Sequence, residues 1–309
     1  MRKTLYMAAA LAVLAGCAKT ETQPENPAGR NLDLTVNVDG VGTRALFDGD
    51  SHIKFESYDA FRGAIALPDS PTKAVKVGER NFAVASSYAV SFKVADPEAA
   101  SPVFNGSFYS IVEANNADTY KFYGVFPSDA VSTTAEDLTS WRVEVSGTQT
   151  ASQTSWHGRS DVMLMEPAEV TVQKKEKTQY NEYNSSASVN VRFAHLFGFG
   201  KITFADVPEA YAKQKVDQVI IEAVGENKDL AGVFKVDLTK DISEVEAVPF
   251  NTGSTLTITP DSDVTVADNV VWFVANPGLY DVKVTVKTGR YDLVFERTGL
   301  NIKRSKIAE

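Results

Sequence analysis

The chain has 309 residues, 43% hydrophobic and 23% charged, an ordinary globular composition with room for two domains of normal size. A formal net charge of -9 argues against the basic footprint of a nucleic-acid partner. With a single cysteine no intrachain disulfide can form, so the fold must rest on packed cores.

At the N-terminus a basic pair, Arg2 and Lys3, precedes the apolar stretch Leu5 to Ala15 and the run Leu14-Ala15-Gly16-Cys17. About 11 residues of helix reach roughly 16 Å against a hydrocarbon core of roughly 30 Å, so this stretch cannot span a bilayer. A charged start, a short apolar core and small residues read as a secretion signal. Leu-Ala-Gly-Cys also resembles the bacterial lipoprotein signal. That resemblance implies that residues 1–17 are signal and lipobox and that Cys17 is acylated, palmitate being the kind of chain attached. Two acyl chains hold a protein stably on a membrane. Residues 18–31, rich in Thr, Glu, Pro and Asn, have too little apolar content to pack and read as a flexible tether.

Next, Leu32, Leu34, Val36 and Val38 alternate with Asp33, Thr35, Asn37 and Asp39, the period-2 signature of a strand with one buried face. Gly40, Gly42, Thr43, Arg44 and Ala45 follow as a permissive, exposed stretch. Beyond Ala45 strand patterns recur almost everywhere, so the class is all-β. In chain order they fall on Phe82–Ala85, Tyr88–Val94, Ser107–Glu113, Tyr120–Phe126, Trp141–Val145, Val162–Glu166 and Val170–Gln173. Lys174 to Ser188 is charged, polar and poor in aliphatic side chains, and reads as an exposed linker or long loop that divides the chain into domains at 32–185 and 186–309. Further strands are expected at Ser188–Phe193, Phe199–Phe204, Gln218–Ala223, Gly232–Asp237, Thr255–Thr259 and Val270–Ala275. Asp281–Lys287 and Tyr291–Glu296 read as a hairpin around Thr288-Gly289, and Pro208 to Lys215 as one short helix. Many short strands at this spacing suggest sandwiches.

A search for chemistry returns little. His52, His157 and His195 stand apart with no metal-ligand spacing, and His195 reads as a core or interface histidine on a strand. No nucleophile elbow or dinucleotide loop is present. The carboxylate pairs Asp48/Asp50 and Asp261/Asp263 could hold Ca²⁺ or cleave a glycoside, but turns between strands explain them better. Trp272 reads as buried in a strand, and Trp156 either as an exposed platform for a sugar or as a plug at a domain join. The reading is therefore of a protein without catalytic activity or cofactor.

The order of features, Cys17, the first strand, Thr43-Arg44-Ala45, Tyr120 to Pro127, Asp161-Val162-Met163 and Val191-Arg192-Phe193-Ala194-His195, resembles the fimbrillin-like proteins, the type V pilins. The resemblance runs from Met1 to about Phe295. It implies two transthyretin-like β-sandwiches in tandem, the first closed by Asp161-Val162-Met163 and the second opened by the strand with His195. It also implies export as a lipoprotein to the outer membrane and cell surface, and cleavage after Arg44 by an arginine-specific protease, leaving Ala45 at the new N-terminus. That cut would remove lipid, tether and first strand, and a strand from another fimbrial subunit would fill the groove. Arg30 is a rival site that would leave the strand behind. Against the family pattern, Leu300 and Ile302 are followed by Lys303, Arg304, Ser305 and Lys306, which break the apolar alternation of a donor strand. The expectation is thus a structural or an accessory or tip subunit of fimbriae with a role in adhesion. The alternative is a surface glycan-binding lipoprotein of a polysaccharide uptake system.

Overall fold

In the computed structural model, the residues described are 30–38, 46–47, 53–54, 57–78, 87–96, 102–111, 118–152, 156, 158–177, 183–204, 207–267 and 270–308. Cys17 of the expected lipobox, Arg44 and Ala45 of the expected cleavage site, His52, His157, Asp48/Asp50 and the strand expected at Phe82–Ala85 lie outside them.

The protein is all-β. Its largest sheet has eleven strands, nine of which run in the order Gln173–Lys177, Tyr183–Val191, Arg30–Val38, Val103–Ile111, Val90–Asp96, Ala60–Leu67, Thr119–Phe126, Met163–Met165 and Phe193–His195. Side chains from nearly all of these strands, from Leu32 through Phe61, Phe92 and Phe122 to Phe193, share one apolar core, so the sheet is folded over on itself. At its centre the Phe61 and Phe92 rings stack with centroids 4.8 Å apart, and Phe193 meets Phe61 edge-on at 5.3 Å. Gly63 is required there, since a Cβ on it would sit 2.6 Å from the Phe92 ring.

A second core is enclosed by smaller sheets. One has five strands, Thr148–Ala151, Thr255–Pro260, Val216–Ala223, Gly278–Thr288 and Asp292–Ile302; one has three, Val270–Ala275, Gly198–Thr203 and Ile307–Ala308. A third joins Val248–Gly253, Ala231–Val236, Trp141–Val145 and Val131–Thr133. The expected hairpin is present, with Val286 opposite Leu293 and Val284 opposite Phe295. The helix is shorter than expected, Glu209–Ala212, with Pro208 at its cap.

Three expectations about the join between the halves are corrected. The linker expected at Lys174–Ser188 includes two paired strands of the first sheet, Gln173–Lys177 and the start of Tyr183–Val191. The boundary at 185/186 therefore falls inside a strand. Its polar composition has a physical reason: on the outer strands of the sheet Ser, Asn and Lys satisfy the ladder through their backbones, and charge there protects the edge. The strand carrying His195 pairs with Met163–Met165, in the first sheet rather than the second domain. Trp141–Val145 and Thr148–Ala151, expected in the first domain, pair instead with Ala231–Val236 and Thr255–Pro260. The two cores also share a layer. Phe61 and Ile65 point into the first core, while Ala64 and Ala66 of the same strand belong to the second.

Candidate functional site

The first strand, Arg30–Val38, lies in the interior of the eleven-stranded sheet. It runs antiparallel to Val103–Ile111, with Leu32 opposite Phe108 and Val36 opposite Phe104, and parallel to Tyr183–Val191, with Val36 opposite Val189. Its alternation is used in full. Leu32, Leu34, Val36 and Val38 are all 0–2% exposed and belong to the first core. On the other face, the Asp33 carboxylate accepts a 2.7 Å hydrogen bond from the Ser107 hydroxyl, and the Asn37 amide donates to Ser188 and Asn190 at 3.1 and 3.0 Å. These polar rungs and the apolar pockets specify one register, because a slip of one residue would exchange the two faces.

Fully burying four such side chains is worth about 6–12 kcal/mol as an upper figure, against a domain stability of about 5–15. The strand therefore cannot leave without a replacement. Arg30, the rival cleavage position, begins this strand and is paired through its backbone to both neighbours.

At the other end of the chain, the apolar alternation stops because the chain turns. Leu300 and Ile302 are buried at the end of the Asp292–Ile302 strand, and Lys303–Lys306 then reverse direction, with Ser305 at φ 56° and its N–H bonded to the Phe197 carbonyl. Ile307–Ala308 next lie parallel to Phe199 and Gly200. Arg304 holds this tail in place. Its Nε donates to the His195 carbonyl at 2.6 Å and a terminal nitrogen donates to the Val245 carbonyl at 2.9 Å. Gly198 lets the turn approach, since a Cβ there would meet the Lys303 carbonyl at 2.5 Å.

His195 is structural in its surroundings. Its Nδ1 is 2.8 Å from the carboxylate of Asp161, which is 1% exposed, and its ring stands edge-on to Phe199. The pair links the segment Asp161-Val162-Met163 to the strand at 193–195. Trp156 is 5% exposed, stacked on Phe199 at 4.0 Å and close to Trp272 at 5.7 Å, so it fills the second core and presents no platform. Asp263 pairs with Lys215 beside a strand end. Among the described residues there is no cluster of three or more potential metal ligands, and no helix is long and apolar enough to cross a membrane.

What sequence reasoning missed is a polar cleft where the two halves meet. About 530 Å³ in volume, it is lined by Tyr58 from the turn before Ala60–Leu67, Asp129 and Arg159 from short 3₁₀ turns, and Glu144, Thr148 and Thr150 from two strands of the second half. Its signal in the sequence was faint, because these six residues are spread over a hundred positions and come together only at the join.

No protein-family model matches the chain, and no curated protein matches it. Solved structures do. A "putative cell adhesion protein" of Bacteroides ovatus is 15% identical, with 90% of this chain and 89% of that one covered and a TM-score of 0.43. A protein of the same description from Bacteroides fragilis is 11% identical, with 89% and 90% covered and a TM-score of 0.46. A fimbrial assembly protein of Parabacteroides distasonis is 10% identical, with 90% and 88% covered and a TM-score of 0.42.

Proposed function

We propose that this chain is a subunit of cell-surface fimbriae, structural or at an accessory or tip position, with a role in adhesion. In this reading it is exported as a lipoprotein acylated at Cys17 and held at the outer membrane. An arginine-specific protease then cuts between Arg44 and Ala45. The observation that carries the proposal is the place of the first strand: it is interior, hydrogen-bonded on both sides, buried at Leu32, Leu34, Val36 and Val38, and it lies wholly N-terminal to Arg44. One cut at Arg44 would therefore sever lipid and strand together from the rest of the chain, leaving the strand held only by its pairing and packing until a replacement displaces it.

Loss of that strand would leave an apolar groove between Val103–Ile111 and Tyr183–Val191 with two unpaired backbone edges. A strand from another subunit, alternating in the same register, restores the pockets and both ladders. The docked tail favours an accepting over a donating role, because donation would first require the contacts of Arg304 and Ile302 to break.

The test is to treat the purified chain with an arginine-specific protease and read the new N-terminus and the oligomeric state. A fragment beginning at Ala45 that forms strand-linked oligomers with a donor subunit is the expected result. A chain that resists the protease, or a cut product that keeps residues 30–38 and stays monomeric, would sink it.

A further inference from the structure

The cleft at the join has the chemistry of a sugar site, and we infer that it binds a neutral oligosaccharide. This goes beyond the assembly reading. Tyr58 is 62% exposed on one wall, and the Arg159 guanidinium lies 5.8 Å from its ring centroid, so the ring borders the charged rim of the cleft. A pyranose has an apolar face that covers such a ring and a rim of hydroxyls that needs acceptors and donors in the same plane. The cleft supplies them. Among the described residues, the Glu144 carboxylate and the Thr148 and Thr150 hydroxyls have no hydrogen-bond or ion-pair partner, and all three face outward from their strands. Asp129 and Arg159 add a carboxylate and a guanidinium, held near each other by an exposed pair at 3.8 Å, the kind worth little and readily exchanged for ligand contacts.

The floor is built and rigid. The Gln149 side chain is 4% exposed; its Nε2 donates to the carbonyls of Ser146 and Val274, and its Oε1 accepts from the Val274 N–H. The Ser146 hydroxyl is spent within the turn, donating to the Thr148 carbonyl and accepting from the Thr148 N–H. These groups fix the strands that present Glu144, Thr148 and Thr150 instead of meeting ligand themselves. A volume of about 530 Å³ lies within the range of small-molecule sites, roughly 300–1,000 Å³, which form preferentially where structural units meet.

Charge selects the class. Two carboxylates against one guanidinium make the cleft net negative, which disfavours sialylated or uronic sugars and phosphorylated ligands. Arg159 beside Asp129 equally disfavours a divalent cation. Among oligosaccharides, this leaves the neutral chains. None of the lining residues lies on the first strand or its two neighbours, so binding and assembly can fail independently.

The test is calorimetric titration of the full chain in mild detergent with cellohexaose, maltohexaose, laminarihexaose and mannohexaose, with sialyllactose as the anionic control. At least one neutral hexaose is expected to bind with Kd below about 1 mM, Tyr58→Ala to weaken it about tenfold or more, and Thr150→Lys, at an exposed position that crowds the cleft, to abolish it. Absence of binding by all four, equal binding by Tyr58→Ala with an unchanged melting temperature, or preference for sialyllactose would overturn the inference. Loss of binding with intact strand-linked assembly would leave the fimbrial reading standing.

Discussion

Two buried tyrosines tie the stability of this fold to alkaline pH. The Tyr123 hydroxyl donates to the Pro71 carbonyl at 3.0 Å, and burial, with the Asp237 charge adding, pushes its pKa up to about 12. The Tyr280 hydroxyl donates its one proton to the Asn276 carbonyl at 2.9 Å, with the Asp229 carbonyl at 3.2 Å as the alternative acceptor, and burial again pushes its pKa to about 12. A tyrosinate can donate to neither acceptor. Because the folded pKa of each lies above the unfolded value near 10, their contribution is complete below about pH 10 and is lost as pH rises towards 12. Urea midpoints measured from about pH 9 to 12 should fall steeply for the wild type, and less steeply for Tyr123→Phe and Tyr280→Phe. Equal slopes in all three would contradict this account. Neither role was visible in the sequence, where the two residues are ordinary strand aromatics.

At the scale of elements, the buried face of the first strand was legible. Its alternation marked Leu32, Leu34, Val36 and Val38 as one buried face, and all four are buried. Its interior position was not legible, since alternation reports a buried face and says nothing of neighbours. From that position comes a prediction: a chain beginning at Ala45 should be unstable alone and regain stability when mixed with a peptide of residues 30–38. The same peptide with Leu34 and Val36 replaced by Asn should fail. A melting temperature unmoved by the native peptide would refute the groove. Ala60–Leu67, by contrast, escaped sequence reading. Packed between both cores, it has small and apolar residues on each face and so no alternation to detect. Val248–Gly253 escaped for the opposite reason, being exposed along its length and interrupted by Pro249.

For the molecule as a whole, the shared layer changes what the two halves can do. Ala60–Leu67 and Thr119–Phe126 present one face to each core, Phe122 to the first and Tyr123 and Val125 to the second. Strands of the middle of the chain, Trp141–Val145 and Thr148–Ala151, complete sheets of the second half, and Arg304 ties the tail to the carbonyl of His195. Neither half can lose its core without exposing part of the other. Differential scanning calorimetry should therefore show one transition, with calorimetric and van't Hoff enthalpies equal. Two resolved transitions would show the halves to be independent.

By itself the sequence determined the all-β class, the hairpin at Thr288-Gly289, the buried face of the first strand and the resemblance of the whole to fimbrillin-like chains. These are properties of local period and turn chemistry, written in consecutive residues. Only the tertiary structure decided which strands are neighbours, where the halves join, that Trp156 is buried and that Tyr58, Glu144 and Thr150 line one cleft. Strand pairing brings together residues a hundred or more positions apart, and no local pattern records which distant edge a strand will meet.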